Sequence, residues 1–580
     1  MAFDFILAKM HRRTVCFLLF ALSILFFGYH LNQHGVEYRD DEIFYYQSTQ
    51  EMAQSHNYFF PTYFGEYRFQ KPILFYWFVL ASYKIFGCSW FGARFVAVLF
   101  AAGSVVLTYR IGCRLLDRRH AFLGCLIIVT IPLFFRHAKN VVPDMALNFF
   151  IVLAMDALTR FWENPRRAIR YMFFSACALG FLVKGFAAII IPILTLIIYC
   201  GLTRQWDDLK KIQLWSGFLW MGLLILPWFF CMMWLYGDIY THYMIKTETV
   251  DRLIAAGSEP FFLKLGKTFL SNSWFYVRNM FGYFAPWSIF AVVAIPWSIR
   301  MVAGQAVDRA RLLFLLVWFA VVFVFFSLIF ARINHLVLVL STPFALLVAA
   351  FLLEKYHDHS FRHLMNASLR KFLCISFIGL GLFGLTFIQI FLTGASALWL
   401  FVAFFLLIGA LIVITVSDNS LLAPSILGGF LIFVFFNSGM ISQAGLTSHS
   451  VLQAMAMTIK AEPYPEKIIA VGDPDIHEKE LQVYFSEPVR QVATQEAVVT
   501  RTGLQNLFKM NQTVYCLMLR KDYDIFQKSL GPAKIDIIQR GLICRRRIPV
   551  DRDLLWAILT LNRSQVQKYL LEEIVLLRKE

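Results

Sequence analysis

Asp40, Asp41 and Glu42 are consecutive carboxylates directly behind the first apolar run of the chain. Acids at a membrane exit are costly unless water, a cation or a reacting group uses them. A carboxylate in that position can orient or deprotonate an attacking oxygen. The same residues also suit a helix start, with Asp40 as cap and Asp41 and Glu42 in the first turn, each worth about 0.3–1 kcal/mol. Capping and catalysis are compatible. A second set of polar residues stands at the ends of otherwise uncharged runs: Lys71; Arg136, Lys139 and Asp144; Lys184; Glu248, Asp251 and Arg252; and Arg332, Asn334 and His335. Lys and Arg bind phosphate oxygens through charge-assisted hydrogen bonds. The combination suggests a site that holds a phosphate and places a carboxylate near it. Singly, each residue has a plainer use. Asp144 follows Pro143 and fits a first helical turn, Lys184 can snorkel before Gly185, and Arg252 can pair with Glu248 one turn away.

The elements that carry these residues are mostly membrane spans. Of the 580 residues, 59% are hydrophobic and only 16% charged, too apolar for a soluble domain of this size. The net charge of +17 sits in short loops between apolar runs, which is a topology signal and not a nucleic-acid patch. Lys9, Arg12 and Arg13 precede the run at 15–31, which reads as an uncleaved anchor with a cytoplasmic N-terminus. The run at 72–86 is short for a crossing and reads as re-entrant or interfacial. Further runs fall at 90–112, 121–135, 145–161, a hairpin over 172–200 turning at Lys184-Gly185, 214–236, 280–299, 312–330, 335–353, 372–392, 398–416 and 422–440. Leaving out 72–86 gives about thirteen crossings with every strongly basic loop on one side. Polar loops near 32–71 and 237–278 then lie outside.

Hydropathy drops near residue 447. The sequence predicts strands over 467–472 and 513–519 and helices over 502–510 and 565–577, hence a small α/β domain over 447–580, outside by parity. The chain is thus expected to be an all-α polytopic membrane domain over 1–446 with this α/β tail. Most of the ten cysteines lie in apolar runs. Cys516 and Cys544 fall in the tail and could pair there.

Asp41-Glu42 with Tyr45, then Gln70-Lys71-Pro72 before Tyr76-Trp77, resembles the first loop of GT-C glycosyltransferases that use polyprenyl-phosphate sugars. Asn140-Val141-Val142-Pro143-Asp144 resembles their second acidic motif. Val183-Lys184-Gly185, Leu226-Pro227-Trp228 and Arg332 through Pro343 follow in order. The nearest flavour is the branch of lipid A aminoarabinose transferases, related to protein O-mannosyltransferases. The resemblance implies an inverting transferase of the bacterial inner membrane, with active site and tail periplasmic. It implies a polyprenyl-phosphate-linked sugar as donor, lipid A or another glycolipid as acceptor, membrane lipids as surroundings and no nucleic acid. Asp41 would act as base or positioning group, with Asp144 and Glu42 in support. Lys71 and Arg252 would neutralise the donor phosphate, and Lys184, Tyr45, Arg332 and His335 would contact the donor. Gln70 and Thr249 stand where that branch has Glu and His resembling zinc ligands. Neither is a good ligand, so no metal and no other cofactor is expected. The sister reading is protein O-glycosylation. The rival class, a lipid or solute transporter, would favour repeated halves and broken mid-membrane helices, and no internal repeat is visible.

Overall fold

A computed structural model describes residues 10–29, 31, 39–242, 261–304, 309–329, 334–357, 448–462, 467–471, 485, 490–491, 512–527, 535–544 and 563–579. Its described residues fall into two compact units, one holding 10–31 and 48–357, the other 39–47 and 448–579. The expected runs at 372–392, 398–416 and 422–440 and the helix over 502–510 lie outside the described residues.

The first unit is helical. It opens with α1 (Arg12–Gly28), and α2 (Arg39–Ser55) enters it at Ser48. A short hairpin follows, β1 (Thr62–Tyr63) pairing antiparallel with β2 (Glu66–Tyr67). Next is α3 (Leu74–Phe86), whose 13 residues make about 20 Å of helix, short of the ~30 Å hydrocarbon core. Gly87 ends it at φ +78°, its N–H donating to the Tyr83 carbonyl at 2.9 Å, and the exposed Cys88 comes next.

Then come α4 (Trp90–Leu115), α5 (Arg118–Val129), α6 (Pro132–Ala138), α7 (Asp144–Glu163), α8 (Arg167–Lys184), α9 (Ala187–Thr203), α10 (Trp206–Ile212) and α11 (Leu214–Thr241). After them stand α12 (Phe261–Tyr283), α13 (Trp287–Ala303), α14 (Arg309–Leu328), a 3-10 helix at Asn334–Leu340 and α15 (Ser341–His357). Trp90–Leu115, Asp144–Glu163, Trp206–Thr241, Ala310–Leu328 and His335–Glu354 are long and apolar enough to cross a membrane, and this is a multi-pass membrane protein.

Several expected boundaries move. The run at 121–135 is not one helix: α5 and α6 meet at 70°. Pro132, at the start of α6, has no N–H to continue the ladder. The expected polar loop over 237–278 is helical from Phe261 on, and 280–299 is broken between α12 and α13 at Pro286. Gly237 kinks α11 with non-helical φ/ψ of 46° and −120°.

Helices in lipid gain little from apolarity against one another, so close approach decides their packing. A Cβ on Gly112 of α4 would sit 2.8 Å from Ala121 Cα of α5 and 2.9 Å from a Leu346 methyl of α15. Polar ties fasten the same helices. Thr108 and Thr342 hydroxyls meet at 3.1 Å, and Trp287 Nε1 donates to Thr130 at 2.9 Å. Asp156 of α7, fully buried, takes Arg110 at 2.9 Å and Arg114 at 2.7 Å from α4, and Arg114 also reaches Glu163 at 3.2 Å. Asp117 caps α5 by accepting from the backbone N–H of Arg119 and His120.

The second unit contains α16 (Ser448–Ala461), β3 (Lys467–Val471), β4 (Arg490–Gln491), β5 (Thr513–Leu519), α17 (Arg520–Gln527), β6 (Ile535–Cys544), α18 (Arg563–Leu570) and β7 (Leu571–Lys579). The sheet order is β4-β3-β5-β7-β6, with β3 parallel to both neighbours and β7 antiparallel to both of its own. α16 covers one face through Leu452, Met455 and Ile459 against Ile469, Leu517 and Leu576. The expected helix over 565–577 stops at Leu570. Beyond it, Ile574 through Leu577 lie in a central strand buried on both faces, which suits their uninterrupted apolar run. Cys516 pairs in register with Leu577 and Cys544 with Leu571, at opposite ends of β7. That separation is about 20 Å at ~3.4 Å per residue, against the ~4.4–6.8 Å between Cα atoms that a disulfide needs, so the two cysteines do not pair.

Candidate functional site

Asp144 is the first residue of α7 and is buried at 5% exposure. Its place at a helix N-terminus favours the charged carboxylate. α8 runs back antiparallel and ends at Lys184, because Gly185 adopts φ +100°, open only to glycine at low cost. Lys184 Nζ donates to Asp144 Oδ1 at 2.6 Å. The 3-10 segment brings His335 Nε2 to 3.4 Å from the same oxygen. Both interactions fall on Oδ1. Behind them His137, fully buried, lies 5.5 Å ring to ring from His335, and its Nδ1 is 3.0 Å from the Leu133 carbonyl.

The three sequence-predicted residues Asp144, Lys184 and His335 therefore converge from three separate elements. The Lys184 ammonium meets Asp144 in this arrangement. Lys139 is committed elsewhere: it donates to the Tyr29 carbonyl at 2.7 Å, beyond the end of α1, and lies over the Phe135 ring. Arg136 is exposed. Asn140 is fully buried, and among the described residues neither its side-chain nitrogen nor its side-chain oxygen has a partner.

Lys71 is half-buried between Gln70 and the buried Pro72. Ahead of it Phe69 is buried and packs on Tyr236 and Tyr240 of α11, with ring centroids at 5.0 and 5.6 Å. Asp41, Glu42 and Tyr45 belong to the first turns of α2, within the second unit. Asp41 is exposed there, whereas Glu42 and Tyr45 are buried. Glu248, Thr249, Asp251, Arg252 and Arg332 lie outside the described residues. Among the described residues no three His, Cys, Asp or Glu side chains gather as a metal would require.

His137, and the Asp156 cluster at the far end of α7, escaped the sequence reading. A lone acid within an apolar run, as at Asp156, was a signal for the second. His137 carried none beyond its place before the acidic motif.

Comparison with known proteins gives three findings. The profile of the family described as dolichyl-phosphate-mannose-protein mannosyltransferase matches residues 13–243. An undecaprenyl phosphate-alpha-4-amino-4-deoxy-L-arabinose arabinosyl transferase of Pseudomonas aeruginosa is 27% identical over 354 residues, 60% of this chain and 61% of that one. A protein of Aquifex aeolicus is 28% identical over 354 residues, 61% and 66% of the two chains. The chain thus spans less than two thirds of these curated relatives. Among solved structures, ArnT from Cupriavidus metallidurans bound to undecaprenyl phosphate aligns at TM-score 0.65 and 17% identity, over 96% of this chain and 97% of that one. Its apo form aligns at 0.66 over 98% of both.

Proposed function

We propose that this protein, which has the GT-C fold of those transferases, moves a sugar from a polyprenyl phosphate to a lipid-linked acceptor at the periplasmic face of the bacterial inner membrane. The observation that carries the reading is the convergence of Asp144, Lys184 and His335, from three elements, on one carboxylate oxygen. Charged side chains inside a membrane protein are rare and mark sites of function.

In the proposed reaction an acceptor hydroxyl oxygen attacks the anomeric carbon. The bond from that carbon to the phosphate oxygen breaks, with inversion, and its electron pair leaves on the polyprenyl phosphate. The acceptor proton passes to a carboxylate, for which Asp41 is our choice, with Glu42 and Asp144 in support. Lys71 and Arg252 offset the charge growing on the leaving phosphate, and Arg332, His335 and Tyr45 serve the donor side. Lys184 holds Asp144 in place. The reaction is routed through the chain's own side chains because Gln70 and Thr249 are poor metal ligands.

Lipid A or another envelope glycolipid is our first acceptor, supported by the arabinosyl transferase relative. The mannosyltransferase profile favours a second reading, in which the acceptor is a protein hydroxyl. Mass spectrometry of lipid A and of envelope proteins, from cells with and without the gene, separates them. A sugar missing from lipid A supports the first, loss from proteins the second, and unchanged glycans refute transfer and revive a transporter.

A further inference from the structure

The hairpin before Lys71 is held by a carboxylate. Its two central residues, Phe64 and Gly65, both have positive φ, +52° and +80°. Such turns favour Asn-Gly, and a bulky residue in the left-handed region costs about 1–2 kcal/mol. The strands are two residues each, too short to hold that turn unaided.

Glu51 of α2 meets the strain where it arises. Its Oε1 accepts from Phe64 N–H at 2.7 Å, and its Oε2 accepts from the Thr62 hydroxyl at 2.6 Å and Gly65 N–H at 3.3 Å. At the base of the hairpin Arg68 N–H donates to the Pro61 carbonyl at 3.0 Å. Tyr67 stacks on Phe69 at 5.3 Å and 11°, and Phe69 is buried against α11. The segment is pinned at its tip by Glu51 and at its base by aromatic rings, and Lys71 follows directly.

We propose that Glu51 is a positioning residue for donor binding: by fixing the hairpin turn it sets where Lys71 meets the phosphate of the polyprenyl lipid. The proposal rests on the reading of Lys71 as a donor-phosphate cation. Phe64, Gly65 and Glu66 are exposed and take no part in the buried cluster that α4, α7 and α8 share, so loss of Glu51 loosens the segment and leaves the helical core intact.

The test compares wild type, Glu51→Ala, Glu51→Gln and Glu51→Ala with Phe64→Gly, as full chains in nanodiscs. Binding of undecaprenyl phosphate is titrated, and KM and kcat are measured for donor and acceptor in membranes. Glu51→Ala should weaken undecaprenyl phosphate binding and raise donor KM about tenfold, with acceptor KM unchanged. Glu51→Gln, which keeps one acceptor oxygen, should recover part of the loss. Phe64→Gly should recover part of it too, because glycine removes the strain that Glu51 offsets. Equal binding by Glu51→Ala and wild type would overturn the inference alone, as would an unchanged donor KM with only kcat reduced. A wild type that binds no undecaprenyl phosphate would overturn the functional reading and this inference with it.

Discussion

Asp144, buried, and Lys184, half-buried, form a pair whose halves should not be separable. Removing one partner of such a pair strands a charge and costs about 3–5 kcal/mol, whereas removing both is far milder. Lys184→Met should therefore lower the melting temperature in detergent, and Lys184→Met with Asp144→Asn should restore most of it. Transfer should fail in both. An additive double variant would show that the pair is not coupled. At Asp41 the exposed position separates chemistry from capping. Asn caps a helix as well as Asp does, so Asp41→Asn should insert normally yet lose about 10²-fold or more in rate if the carboxylate handles the acceptor proton. Near-wild-type transfer would remove Asp41 from the mechanism. Asp144, Lys184 and His335 were legible as charges at the ends of apolar runs. Their meeting on one oxygen was not, because nothing in the spacing of 144, 184 and 335 states that three elements share an end. Glu51 was illegible for another reason: its partners are backbone N–H groups of a turn, which leave no residue-type signature.

At the scale of elements, long apolar runs such as α4, α7 and α11 could be read directly, since length and hydropathy define them. Breaks within runs were harder. The α5–α6 bend and the α12–α13 break turn on single prolines inside apolar sequence, which hydropathy averages away. α18 and β7 show the limit in the tail. A buried central strand and a buried helix carry the same unbroken apolar run, and the partners of β7 on both sides decide for the strand. The α5 cap gives a prediction at this scale. The His120 imidazole, 2.9 Å from Asp117 Oδ1, with help from the capped N–H groups, pulls the Asp117 carboxyl down to about 2. A depressed acid contributes stability above its unfolded pKa, near 4, and loses it as pH falls through 2. Asp117→Ala should thus lower the melting temperature by a similar amount at pH 7 and pH 5, at a cost of about 1 kcal/mol, while Asp117→Asn, which keeps the cap oxygen but not the charge, should recover only part of that loss. A deficit confined to one of those pH values would contradict this.

For the whole molecule, two expectations concern what surrounds the chain. Gln70 and Thr249 are poor metal ligands, so transfer should survive strong chelation. Loss with EDTA and recovery with zinc would contradict that. The other expectation is orientation, with the basic loops cytoplasmic and the site periplasmic. Here the turn between α3 and α4 has a practical use. α3 is too short to cross the bilayer, so the thiol just beyond Gly87 should emerge on the same side as the hairpin. Among the described cysteines Cys88 is exposed, Cys16, Cys113 and Cys231 are half-buried, and Cys125, Cys177, Cys200 and Cys516 are buried. Cys88 thus offers a native position for a sidedness probe. A membrane-impermeant maleimide added to intact spheroplasts should tag a chain that keeps Cys88 and has its other nine cysteines replaced by Ser, and Cys88→Ser in that chain should abolish the tag. Labelling of Cys88 only in inverted vesicles would make α3 a crossing and reverse every loop after it.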